Sequence, residues 1–149
     1  TRLSDNRNHT GLTLVLLRAT STGLAAEACP LHGLYRANGE LTLHSYEQSH
    51  VLQSQEERHD WKNMFSALTM EWRCDRFRAW TDCGEPAPCP VTDGWQTAAV
   101  TEIHPGEIRV HFPSGLDDDW RLQTEGDCYR VERESRGPYW EYFCRLASE

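Results

Sequence analysis

One stretch constrains this chain more than any other: Cys83-Gly84-Glu85-Pro86-Ala87-Pro88-Cys89-Pro90. Its prolines lack backbone donors and fix φ, so neither a helical turn nor a full strand ladder runs through it. Whatever folds on either side must accommodate an irregular connection. The chain has 149 residues, which fits one domain of ordinary size or two very small ones. The break divides it into an N-terminal unit, 1–88, and a C-terminal unit, 89–149.

The segments around the break are short, apolar at alternate positions and separated by turn residues, the pattern of a β-rich fold. Leu12 to Leu17 reads as a buried strand. Gly33 to His44 reads as a hairpin turning at Asn38-Gly39, the pair that a type I′ turn favours. Ser45 to Asn63 is polar and reads as a long loop or a short helix ending near Trp61. Met64 to Trp80 holds one or two strands. After the break, strands are expected at Gly94 to Val100, Ile108 to Phe112, Asp119 to Leu122, Cys128 to Val131 and Tyr139 to Leu146. A turn is expected at His104-Pro105-Gly106-Glu107. The longest apolar run, Leu12 to Leu17, is far below the ~18 residues of a membrane span. The net charge of -8 disfavours general nucleic-acid binding and favours a basic partner.

The two halves share a faint internal order. Gly39-Glu40-Leu41-Thr42-Leu43-His44 parallels Gly106-Glu107-Ile108-Arg109-Val110-His111. Asp60-Trp61-Lys62 parallels Asp119-Trp120-Arg121, and Cys29-Pro30 parallels Cys89-Pro90. A true repeat would make two small barrels in tandem.

In the second half, Gly94-Trp95-Gln96-Thr97-Ala98-Ala99-Val100 is followed by a turn, by Val110-His111-Phe112, and by Asp117-Asp118-Asp119-Trp120. This ordered set resembles the Tudor and chromo-barrel group of SH3-like barrels over about 35 residues. The resemblance implies a mostly β fold of two small SH3-like (Tudor-like) barrels in tandem, or one such barrel at 89–149 with a β-rich N-terminal unit. It also implies a reader of basic, methylated, histone-like tails, and so a nuclear, chromatin-bound protein. Such readers surround a poorly hydrated methylammonium with aromatic faces, each contributing ~0.5–2 kcal/mol, and add a carboxylate. By position, the cage residues are Trp95, Phe112 and Trp120, with Tyr129 as a further wall. The acidic group comes from Asp117-Asp118-Asp119, with Asp118 at its centre. The N-terminal counterparts are Tyr35, Tyr46 and Trp61, beside Asp60. On this reading, replacing Trp120 with Ala weakens peptide binding and leaves the fold intact.

The six cysteines, Cys29, Cys74, Cys83, Cys89, Cys128 and Cys144, hold a second reading. An even number allows three disulfides in 15 connectivities, with Cys128 and Cys144 placed to pair across the last two strands. Together with the glycosylation pattern Asn8-His9-Thr10, bridges would make a secreted or cell-surface, disulfide-stapled interaction domain. A zinc set of Cys29, His32, Cys83 and Cys89 is the third state, because Cys29-Pro30-Leu31-His32 has the spacing of one ligand pair. No cofactor is expected. No Gly-rich phosphate loop, His-Glu-x-x-His or Gly-x-Ser-x-Gly is present, so a non-enzymatic role is expected.

Overall fold

The computed structural model describes residues 29–84, 88–132 and 138–147. The apolar run at 12–17 and the glycosylation pattern at 8–10 lie outside them. The described chain forms β1 (His32–Ala37), α1 (Gly39–Glu47), α2 (Gln55–Phe65), β2 (Leu68–Arg73), β3 (Arg76–Thr81) and β4 (Cys89–Pro90). It continues through β5 (Gln96–Thr97), β6 (Ala99–His104), β7 (Glu107–His111), β8 (Trp120–Glu125), β9 (Cys128–Glu132) and β10 (Trp140–Arg145). The fold is mostly β, as the alternation and turn residues imply.

All these strands join one antiparallel sheet in the order β4-β3-β2-β1-β10-β9-β8-β7-β6, with β5 also set against β3. The pairing does not separate at the proline-rich break into two barrels. Beyond the break, β4 returns to β3 through Thr81↔Cys89 and Trp80↔Pro90. The last described strand, β10, pairs with the first, β1, through Tyr35↔Arg145 and Ala37↔Phe143. Prolines interrupt hydrogen bonding locally, but they do not stop the chain from rejoining the same sheet.

The inward face follows the period-two pattern. Cross-strand pairs of buried side chains run across it: Met70↔Ala79 and Trp72↔Phe77, then Ile108↔Leu122 and Val110↔Trp120, then Tyr129↔Phe143. The sheet curls into a half-barrel, so side chains from its two arms meet. Phe77 packs edge-on to Phe112 at 5.4 Å between ring centres, and Trp72 packs edge-on to Trp120 at 6.4 Å. The Trp72 indole N–H donates to the Tyr129 hydroxyl at 3.2 Å.

The hairpin expected at Asn38-Gly39 is a helix start instead. Asn38 is extended, and its side-chain oxygen accepts from the Leu41 N–H at 3.1 Å, an N-cap. Asparagine serves turns and caps by the same side-chain acceptor, and Glu40 in the first turn favours the cap. Gly39 is buried where α1 crosses α2, and a Cβ there would run into the Ser66 hydroxyl and the Lys62 carbonyl. The glycine therefore serves close helix contact rather than a positive φ. The internal repeat fails at the same point, since the segment matched to the β6–β7 hairpin is helical. Its second match fails as well, because Trp61 lies within α2 while Trp120 opens β8.

Helix α1 also completes the sheet. β1 stops pairing with β10 at Phe143, which leaves N–H groups earlier on β10 in need of partners. The Thr42 hydroxyl accepts from the Tyr142 N–H at 3.0 Å, and the Ser45 hydroxyl accepts from the Trp140 N–H at 2.8 Å. The backbone requirement is met by side chains where the strand runs out. Ion pairs Lys62–Glu40 and Arg58–Glu47 tie the two helices together.

Replacing Gly39 with Ala is expected to cost about 1–3 kcal/mol, the usual range for overpacking, in urea unfolding. Adding Ser66→Ala should not restore the loss fully, because the Lys62 carbonyl remains. The hydrogen bond from Lys62, and then its charge, hold the Glu40 carboxyl below its ordinary 4.5. The ionised carboxylate thus favours the folded state at neutral pH, and this contribution disappears as pH falls through the carboxylate range. An acid titration of the Trp61 indole resonance should show this transition, and Lys62→Met should flatten it.

Candidate functional site

An open cleft of about 300 Å³ lies where the two arms of the curled sheet approach. One wall comes from β2 and β3, with Leu68, Met70, Phe77 and Ala79. The other comes from the end of β7, the following loop and the start of β8, with Phe112, Leu116, Asp117 and Trp120. Val91 and Thr92 close one side.

Local hydrogen bonds position this rim. The Thr92 hydroxyl accepts from the Ala79 N–H at 3.0 Å and donates to the Gly94 carbonyl at 2.9 Å, pinning the segment after β4 against β3. Opposite it, the Gly115 N–H donates to the Phe112 carbonyl at 2.9 Å, with Gly115 at φ 69°, so the loop turns back over the cleft. Asp117 accepts from the Trp120 indole N–H at 3.1 Å and from the Asp118 N–H at 2.9 Å. These donors fix its carboxylate at the cleft. Val91 and Leu116 are 54% and 51% exposed at the mouth.

The cage residues expected from the sequence divide into four groups. Phe112 and Trp120 do line one cleft, with Asp117 rather than Asp118 as its acid; Asp118 is exposed. Their rings are largely buried, at 3% and 4% exposure, and pack edge-on at 5.0 Å. Tyr129 and Tyr35 are core residues 4.9 Å apart. The Tyr129 hydroxyl serves Trp72, and the Tyr35 hydroxyl accepts from Arg145 at 2.8 Å. Trp95 lies against Arg73 at 4.7 Å and Arg78 at 4.8 Å, so cations of the same chain already stack on it. Both arginines also bond Glu71, at 3.2 and 2.7 Å.

Tyr46 and Trp61 do meet, 4.8 Å apart, where α1 faces α2. His50 stacks on Tyr46 at 3.8 Å, and Phe65 and Tyr139 stand around it at 5.6 and 5.3 Å. The group joins the two helices to the segment before β10. Asp60 is exposed on α2.

The four residues of the zinc set do not converge. Cys29 is bonded to Cys74, Cys83 to Cys89, and Cys128 to Cys144, and no cysteine is free. The bridges take up the thiolates that zinc requires. The expected Cys128–Cys144 pairing across the last two strands is present, between directly opposed residues of β9 and β10.

Sequence reasoning missed Phe77, Val91 and Leu116 as cleft residues. Phe77 was visible only as an apolar strand position. Leu116, an isolated aliphatic residue between Gly115 and three aspartates, carried the one local signal. His111 and Asp119 also pair beside the cleft loop, at 2.7 Å and both exposed. Nothing in their spacing selected them.

No protein-family model, curated protein or solved structure matches this chain.

Trp120 bridges cleft and core, so Trp120→Ala is expected to lower stability by about 3–5 kcal/mol, as large core truncations do. The sequence-based expectation of an intact fold is thereby revised. Chemical unfolding monitored by circular dichroism measures the loss.

Proposed function

We propose that the chain is a non-catalytic, disulfide-stapled interaction domain of an oxidising compartment. Its cleft receives a basic side chain of a partner protein. The observation that carries the reading is the convergence of Phe77, Phe112, Trp120 and Asp117 on one open cleft. Aromatic and aliphatic walls suit an alkyl stem, and a fixed carboxylate suits its cationic head. The net charge of -8 supports a basic partner through complementary fields.

The binding role is favoured over catalysis because Asp117 is the one titratable side chain among those lining the cleft. A single carboxylate held by two donors supplies charge, whereas acid–base chemistry needs a positioned pair. The cysteines support the choice of compartment. All six are bridged, and bridges persist where thiols are not kept reduced. This favours a secreted or cell-surface partner over a nuclear histone tail. Methylation of the basic side chain remains compatible with the cleft, because a methylated ammonium sheds water more readily.

Thiol titration in denaturant should find no free thiol without reductant and six after reduction. An array of lysine- and arginine-rich peptides, with and without lysine methylation, tests the binding role. The parent protein is expected to bind basic peptides, and Asp117→Asn to bind them roughly tenfold more weakly, a loss of about 1.4 kcal/mol. Asparagine keeps one oxygen to accept from the Trp120 indole N–H; it removes the charge and the second acceptor that the Asp118 N–H uses. Absence of binding by the parent, or equal binding by Asp117→Asn, contradicts the proposal.

A further inference from the structure

The bridge between Cys29 and Cys74 differs from the other two in its surroundings. Register brings its parts together. β1 pairs with β2 through His32↔Arg73, and the Cys74 N–H donates to the Leu31 carbonyl at 3.1 Å. The segment Cys29-Pro30-Leu31-His32 therefore lies beside the β2–β3 turn that carries Cys74. The two sulfurs and a ring nitrogen of His32 lie within 4.8 Å of one another. Cys74 and His32 are exposed, and the bridge forms part of the wall of a cleft of about 420 Å³ with Asp75 and Glu102. Reductant and metal ion both have access to it.

We propose that the Cys29–Cys74 bridge is the oxidised form of a redox-gated zinc site, with Cys29, Cys74 and His32 as its protein ligands. An external dithiol reduces the bridge by exchange. The protein disulfide gains two electrons and two protons and becomes two thiols, while the dithiol is oxidised to its own disulfide. A Zn²⁺ ion then binds both sulfurs as thiolates, releasing two protons, and takes the neutral imidazole of His32 as third ligand. Water from the cleft completes the tetrahedron.

The geometric demand is modest. Sulfurs about 2 Å apart in a bridge must separate to roughly 3.8 Å around a tetrahedral ion with Zn–S near 2.3 Å. Side-chain rotation at Cys29, which precedes β1, and at Cys74, in the β2–β3 turn, supplies that movement. The metal then closes the same 45-residue separation that the disulfide closes. The other two pairs lack this arrangement, since among the described residues no third ligand joins Cys83–Cys89 or Cys128–Cys144.

Cobalt(II) in place of zinc makes the site visible. The full chain is reduced with a dithiol, desalted without oxygen and titrated with Co²⁺, with far-UV circular dichroism recorded on the same samples. One Co²⁺ per chain is expected, with tetrahedral visible bands and thiolate-to-cobalt charge transfer. The unreduced chain should give neither. Cys74→Ser should lose about half the charge-transfer intensity and bind more than tenfold more weakly. His32→Ala, a change at an exposed position, should keep the charge transfer, shift the visible bands and also bind more than tenfold more weakly. Any of three results overturns the proposal: reduced protein that takes up no cobalt, reduced protein that unfolds and stays unfolded with the metal present, or cobalt spectra unchanged by both substitutions.

Discussion

The Trp72 indole donates to the Tyr129 hydroxyl across 57 residues of sequence, with both side chains buried. A buried N–H or hydroxyl without a partner costs ~1–3 kcal/mol, so each residue satisfies the other. The Tyr129 hydroxyl also lies 3.8 Å from the Met70 sulfur. Tyr129 stacks on Phe143 at 5.2 Å, and Trp72 meets Trp120 and Phe77. The core is therefore shared, with strands from before and after the proline-rich break filling one interior. The curl of the sheet, the approach of its two arms and the cleft between them all depend on that shared core.

Much of this was legible in the sequence. Turn residues and alternation marked most strands to within a few residues, including β7 at Ile108-Arg109-Val110 and β9 at Cys128-Tyr129-Arg130-Val131. The helices were less legible. Asn38-Gly39 carries the same chemistry in a turn and at an N-cap, and only the crossing of α1 over α2 distinguishes them. Division into two units followed from prolines at 86, 88 and 90. Local stiffness there does not report whether the next strand returns to the same sheet, and β4 does. Pairing of β1 with β10 is a contact over more than 100 residues, for which no local pattern exists.

The site was legible by residue type more than by role. Aromatics were singled out as walls for a cation, and the structure places most of them in packing. Trp95 shows the distinction well. The attraction of a cation to its ring is realised, but with Arg73 and Arg78 of its own chain. Phe112 and Trp120 lie at the boundary of core and cleft, so their rings shape the cavity while holding the arms together. The bridges act at the sheet's periphery. One closes the proline-rich loop, one joins β9 to β10, and one ties the segment before β1 to the β2–β3 turn. In the chain-entropy picture the last contributes most, about 4 kcal/mol, because it closes the longest loop.

A single shared core makes a definite statement about the isolated C-terminal unit. Residues 89–149 on their own would leave β10 without β1, and Phe112, Trp120 and Tyr129 without Phe77 and Trp72. The most direct measurement is the amide proton–nitrogen spectrum of that fragment beside that of the full chain. The shared core requires collapsed, unfolded-like amide dispersion for the fragment and well-dispersed signals for the full chain. A well-dispersed fragment spectrum that overlays the corresponding signals of the full chain would contradict it, and would show that the second half folds as a barrel of its own.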